Sequence, residues 1–228
     1  ALMPLTLSAF AVTLATHVCT APGCPDAAPW PAPMRTVEAA GTLVSPHLPE
    51  ARIVVPGSAV YAGRRRWALY DAVDAEMHLF VEAGEDRVVD RLYWIQFEAY
   101  LPTLPEAGYD FHLSDLEQRE LGDASFFVRA RFGEGASDVP QAGSDNAMMR
   151  AVLEEAGYTL PAETINATMK HILDPDNPRE ELMIIYIEDL APTGASMADI
   201  INAGLDSPLW EGLAQGVLDR AEARVVVE

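Results

Sequence analysis

The chain has 228 residues, half of them apolar, with 15 Lys plus Arg against 35 Asp plus Glu and a formal net charge of −20. That length and apolar share suffice for a sizeable core and exclude disorder throughout; they fit one domain with an extension or two small ones. The negative field repels phosphate backbones and anionic headgroups, which excludes nucleic acid as a partner in the absence of a local basic patch.

Residues 1–18 contain no Asp, Glu, Lys or Arg. They match the apolar region of an export signal but lack its positively charged start, and they are marginal in length for a membrane span. The expectation is a periplasmic or secreted protein in which this stretch is a trimmed signal, a membrane tether or a buried segment. Cys19 and Cys24 flank Pro22 and Gly23, a turn that would let them close a small disulfide loop in an oxidising compartment. With His17 they supply three metal ligands where a structural zinc site needs four, so neither metal nor cofactor is expected. Seven prolines between residues 20 and 50 forbid a continuous helix or central strand and predict an extended arm, which sets residues 1–50 apart from a single domain over 51–228.

Residues 51–132 read mainly as β. Gly84, Glu85 and Asp86 separate two strand-like runs as a hairpin turn would. Over 65–82 a helix competes, because Trp67, Tyr70, Val73, Met77 and Phe80 recur at helical spacing. In "YWIQFEAYLP", residues 93–102, alternation puts Tyr93, Ile95, Phe97, Ala99 and Leu101 on one face and Trp94, Gln96, Glu98 and Tyr100 on the other. Ser114 with Glu117, then Gly122, predicts a short helix. In "SFFVRARF" that follows, Phe126, Val128, Ala130 and Phe132 oppose Phe127, Arg129 and Arg131.

The second half turns helical. Asp145 is placed to cap a helix that Gly157 ends, and Pro161 to open another through "PAETINATMKHIL". "ELMIIYIEDL" is apolar on both faces, as a covered central strand would be. Ser196 with Asp199, then Ser207 with Pro208, begin two last helices, the second with Leu209, Leu213 and Val217 along one stripe. Strands first and helices later predict an α+β fold, an antiparallel or mixed sheet with helices from the C-terminal half packed on a face.

If 93–101 and 125–132 share a sheet, Trp94, Gln96, Glu98 and Tyr100 share a surface with Phe127, Arg129 and Arg131. Rings give apolar contact, and arginine grips carboxylate or phosphate bidentately, so this surface is the candidate ligand-binding site; cross-strand ion pairs are the plainer account. His171 and Asp174, three apart on the predicted helix, are a candidate base with its carboxylate, and Glu98 is a further catalytic candidate. The acidic run from Asp174 to Glu181 lacks the spacing and glycine of a calcium loop, and Arg64, Arg65 and Arg66 form the one basic run. No dinucleotide, P-loop, zinc-protease, thioredoxin-like or nucleophile-elbow motif occurs. The expectation is a domain binding a small molecule or a partner protein on its aromatic and charged sheet face. The alternatives are a hydrolase using His171 and carboxylates, and an interaction subunit docking through its N-terminal arm.

Overall fold

The computed structural model describes residues 32–109 and 116–228. The charge-free segment 1–18, His17, the Cys19–Cys24 loop and the Ser114 cap lie outside the described residues.

Seven strands form the main sheet: β4 (Val60–Leu69), β5 (Val73–Ala83), β6 (Val89–Tyr100), β7 (Glu117–Leu121), β8 (Ala124–Glu134), β9 (Glu163–Ile172) and β10 (Glu180–Asp189). Their order is β4-β5-β6-β10-β9-β8-β7, antiparallel throughout. Two meanders therefore meet where β10 pairs with β6, and these two central strands are largely buried on both faces. A second sheet of β1 (Thr36–Ala39), β2 (Thr42–Pro46), β3 (Glu50–Val54) and β11 (Val226–Val227) lies over one face. The helices are α1 (Asp145–Glu155), α2 (Met197–Ala203) and α3 (Pro208–Arg224).

The fold is α+β, with one core on each side of the main sheet. On one side Tyr93, Ile95, Phe97, Leu182, Ile184 and Tyr186 meet Leu43 and Ile53 of the small sheet, Ile200 of α2 and Val217, Leu218 and Ala221 of α3. On the other, Met77, Leu79, Leu92 and Trp94 meet Met149, Val152 and Leu153 of α1. Each such side chain contributes about 1.5–3 kcal/mol by leaving water.

Two expected helices and one helical alternative are strands. Residues 163–172 alternate, with Ile165, Ala167 and Met169 in the core and Asn166, Thr168 and Lys170 on the other face, and their β-branched Thr and Ile suit a pleat. The helical alternative over 65–82 is broken at Tyr70 and Asp71, whose φ angles of 52° and 56° turn β4 into β5. Residues 117–121 are β7, and Gly122, at φ 70° with Val227 pressed against it, turns the chain into β8 rather than ending a helix. The predicted hairpin at 84–86 is present, closed by Arg87 N–H donating to the Gly84 carbonyl at 3.2 Å.

α1 is capped by Ser144, one residue before the expected cap, with Ser144 Oγ accepting from Ala147 N–H. The Ser196–Asp199 capping box and Pro208 at the start of α3 appear as predicted. Of the Leu209–Leu213–Val217 stripe only the C-terminal end is buried, because Leu209 stays 38% exposed at the helix start. Residues 36–46, inside the stretch read as an arm, build β1 and β2; Pro46 ends its strand, a position that spares the hydrogen-bond ladder.

A buried polar knot holds that segment to β5. Glu76 accepts from Met34 N–H at 2.8 Å, Arg35 N–H at 2.9 Å and Arg35 Nη1 at 3.2 Å, with His78 Nε2 at 3.0 Å. Arg35 also donates to the His47 and Leu48 carbonyls and lies 4.2 Å from the Phe97 ring centroid.

Candidate ligand-binding face

Register decides which side chains share a surface. Trp94 of β6 lies opposite Ile185, which lies opposite Thr168, which lies opposite Arg129. The parallel rows are Gln96–Met183–Lys170–Phe127, Leu92–Ile187–Asn166–Arg131 and Glu98–Glu181–Ile172. The structure therefore brings Trp94, Gln96, Glu98, Phe127, Arg129 and Arg131 to one face, but β10 and β9 lie between the two groups. At the usual strand spacing Trp94 and Arg129 stand about 14 Å apart across the sheet.

The face has two halves. Over β4, β5 and β6 it is roofed by α1, so Trp94 is 2% exposed and Gln96 fully buried. Over β10 Glu181, Met183 and Ile187 are still buried and only Ile185 is half-buried; over β9 and β8 the face opens, with Asn166, Thr168, Lys170 and Phe127 half-buried and Arg129 and Arg131 exposed. Tyr100 sits at the strand end, its ring 4.8 Å from that of Tyr109.

A polar chain marks the divide. Trp94 Nε1 donates to Gln96 Oε1 at 2.8 Å, Gln96 Nε2 to Glu98 Oε1 at 2.5 Å, and Tyr109 OH to Glu98 Oε2 at 2.9 Å. Directly opposite Glu98 in register, Glu181 of β10 accepts from Lys170 Nζ at 2.9 Å; its other oxygen has no hydrogen-bond partner among the described residues. Burial pushes the Glu181 carboxyl up to about 7, with the Glu98 charge adding to the rise and Lys170 opposing it. Burial likewise raises Glu98, against the bonds from Gln96 and Tyr109, and the carboxylate of Asp145 at the start of α1 raises both. Two facing carboxyls in so dry a place each disfavour the other's ionisation. Beside them lies a cavity of about 340 Å³ walled by Tyr109, Phe127, His171 and Ile172. The sequence puts Glu181 both at the end of the acidic run and at the start of the covered strand and singles out neither it nor Tyr109; the signal for Glu181 is its two-residue offset from Met183 on that strand.

The arginines divide sharply by partner. Nine of the fourteen form ion pairs with carboxylates. Arg87 and Arg179 donate to backbone carbonyls. Among the described residues Arg64, Arg129 and Arg131 have neither, and the last two are neighbours on one strand face. The basic run at 64–66 is mostly internal: Arg66 grips Asp74 through two bonds of 2.9 and 2.6 Å, and Arg65 reaches Glu155 at 2.6 Å.

His171 and Asp174 do not form the predicted pair. His171 is the last residue but one of strand β9, where Nδ1 lies 3.0 Å from the Ser125 carbonyl oxygen and the ring packs on Phe126. Asp174 is exposed in the following turn, and its Oδ1 accepts from Asp176 N–H at 3.0 Å. The helix that would have aligned them is absent. Among the described residues no three His, Cys, Asp or Glu side chains converge as a metal site requires. Comparison with protein-family models, with curated proteins and with solved structures finds no match to this chain.

Proposed function

We propose that the domain is a binding module whose more open β9-β8 face takes a ligand bearing a carboxylate or similar anion, gripped by Arg129 and Arg131. One observation carries this reading: in a chain with 35 acidic residues, two adjacent guanidinium groups stand exposed without a carboxylate partner among the described residues. Arginines two apart on one strand face can close on a single anion with parallel N–H donors. Phe127, Asn166 and Thr168 supply a flat, partly apolar floor with polar groups able to fix orientation. Trp94, under α1, takes no part.

Titration calorimetry with citrate, glutamate and inorganic phosphate tests the reading. Each Arg→Gln substitution is expected to weaken binding by about tenfold, in line with a charge-assisted hydrogen bond, and the double variant to abolish it. Affinities unchanged in the double variant would overturn it.

The raised Glu181 carboxyl favours a second reading, acid–base hydrolysis by the Glu98–Glu181 pair. Against it, Glu181 is only 1% exposed. That reading requires a hydrolytic activity that Glu181→Gln removes.

A further inference from the structure

The β9-β8 face does not end at the two arginines. Beyond Arg131 the next residue on that face of β8 is Gly133, and a Cβ there would meet nothing within 4 Å. The space borders a cavity of about 370 Å³ between α1 and the paired ends of β8 and β9, within the usual size range of small-molecule sites. Met149, Leu160 and Ile187 make its buried apolar floor; Glu134, Asp138, Asn146 and Asn166 stand around it. Asn166 lies directly opposite Arg131 in register, about 5 Å away between Cα atoms, so cavity and arginines adjoin.

The cavity wall is held in place by the fold itself. Gly135 N–H donates to the Ala162 carbonyl and Ala136 N–H to that of Pro161, both at 2.8 Å. A Cβ on Gly135 would lie 1.8 Å from the Pro161 oxygen, so only glycine fits there. Arg150 of α1 donates to the Gly135 carbonyl. The polar rim carries both senses of hydrogen bond. Thr168 Oγ1 donates to Asn166 Oδ1 at 3.3 Å, which leaves the Asn166 amide N–H groups, like the Asn146 side chain, without a partner among the described residues. The carboxylates of Glu134 and Asp138 can only accept, and each already has a donor or cation near it: Ser137 Oγ at 2.9 Å and Arg150 Nη2 at 3.6 Å. An ammonium group would serve the carboxylates and leave the amide donors unmet; a hydroxyl, donor and acceptor at once, serves both.

We infer that the ligand of the arginine face is a hydroxylated monocarboxylic acid of the sugar-acid class, with its carboxylate on Arg131 and Arg129 and its hydroxyls in the cavity beside Gly133. The inference rests on the reading that these arginines take an anion, and it names what the anion is attached to. The carbon skeleton covers Met149, Leu160 and Ile187, while hydroxyls accept from the asparagine amides and donate to the carboxylates. Glu134 and Asp138 also repel a second acid group, so a diacid is rejected where a monoacid is held.

Calorimetry with D-glucuronate, its diacid D-glucarate, neutral D-glucose and the bare ring acid cyclohexanecarboxylate is the test. Glucuronate is expected to bind about tenfold or more tighter than each of the others, the weight of one or two well-made hydrogen bonds. Gly133→Val, a change into open space, should cut glucuronate affinity by about tenfold and leave inorganic phosphate unaffected. Asn146→Ala, at an exposed site, should weaken glucuronate comparably and phosphate not at all. Equal binding of glucuronate and cyclohexanecarboxylate, or a glucuronate affinity untouched by both variants, overturns the inference. So does glutamate binding more tightly than glucuronate, which would put an ammonium group in the cavity. If phosphate or citrate still requires Arg129 and Arg131 in those cases, the anion-binding reading survives; if no anion depends on them, both fall.

Discussion

Glu76 and Glu181 are each 1% exposed in the same sheet, on opposite faces, yet their carboxyls shift in opposite directions. Glu76 collects two backbone amides, a guanidinium and an imidazole, and against the cost of burial these hold its carboxyl down at about 2. Glu181 collects one ammonium, faces a second carboxyl and leaves an oxygen unpartnered among the described residues, and burial carries it up to about 7. Low exposure alone therefore fixes neither charge nor role; the donors delivered to each oxygen do. The first carboxylate is a fastener between the small sheet and the large one, the second a strained group left where the sheet face opens.

The largest expected effect breaks the first half of that comparison. Glu76→Gln leaves Arg35, 4% exposed, as a buried cation without its carboxylate, and is expected to cost about 3–5 kcal/mol of stability in denaturant unfolding. The pH dependence comes next. Since the folded pKa of Glu76 is depressed from 4.5 to about 2, its contribution is full above 4.5 and is lost as pH falls through 2, about 3 kcal/mol at most. Since that of Glu181 is raised from 4.5 to about 7, stability is full below 4.5 and declines as pH rises through 7. Unfolding free energy measured at pH 3, 5 and 8 should accordingly be highest at the middle value. Glu181→Gln should flatten the alkaline limb and leave the acid limb unchanged; equal flattening of both would show that the two carboxyls are not separate devices.

Much of the fold was legible, because strands buried on both faces and helix caps write themselves in local sequence. "ELMIIYIEDL", the turn at 84–86 and the Ser196–Asp199 box needed no knowledge of distant residues. β9 was misread because Pro161 and the Ala, Met and Lys of its run satisfy helix propensity, and only pairing with β8 and β10 chooses the pleat. The shared face of Trp94 and Arg129 was legible from alternation, and the two strands between them were not, since alternation sets a side but not an order across the sheet. Glu181 and Tyr109 were hidden for the same reason. What makes them chemically notable is proximity to Glu98, which arises from β10 returning to pair with β6 after a separation of eighty residues in sequence.

The smallest expected effect sharpens the comparison by carrying it to the arginines. Arg35 binds a carboxylate, a hydroxyl, two carbonyls and an aromatic face, so the fold depends on it. Arg129 and Arg131 touch none of these among the described residues, so replacing both with Gln should change unfolding stability by no more than about 0.5 kcal/mol. The sign should favour the wild type only slightly and less so in high salt, where the attraction between two surface cations and an acidic molecule is screened. A loss of several kcal/mol in that double variant would mean that the guanidinium groups are structural after all, and the face they mark would lose its claim to a ligand.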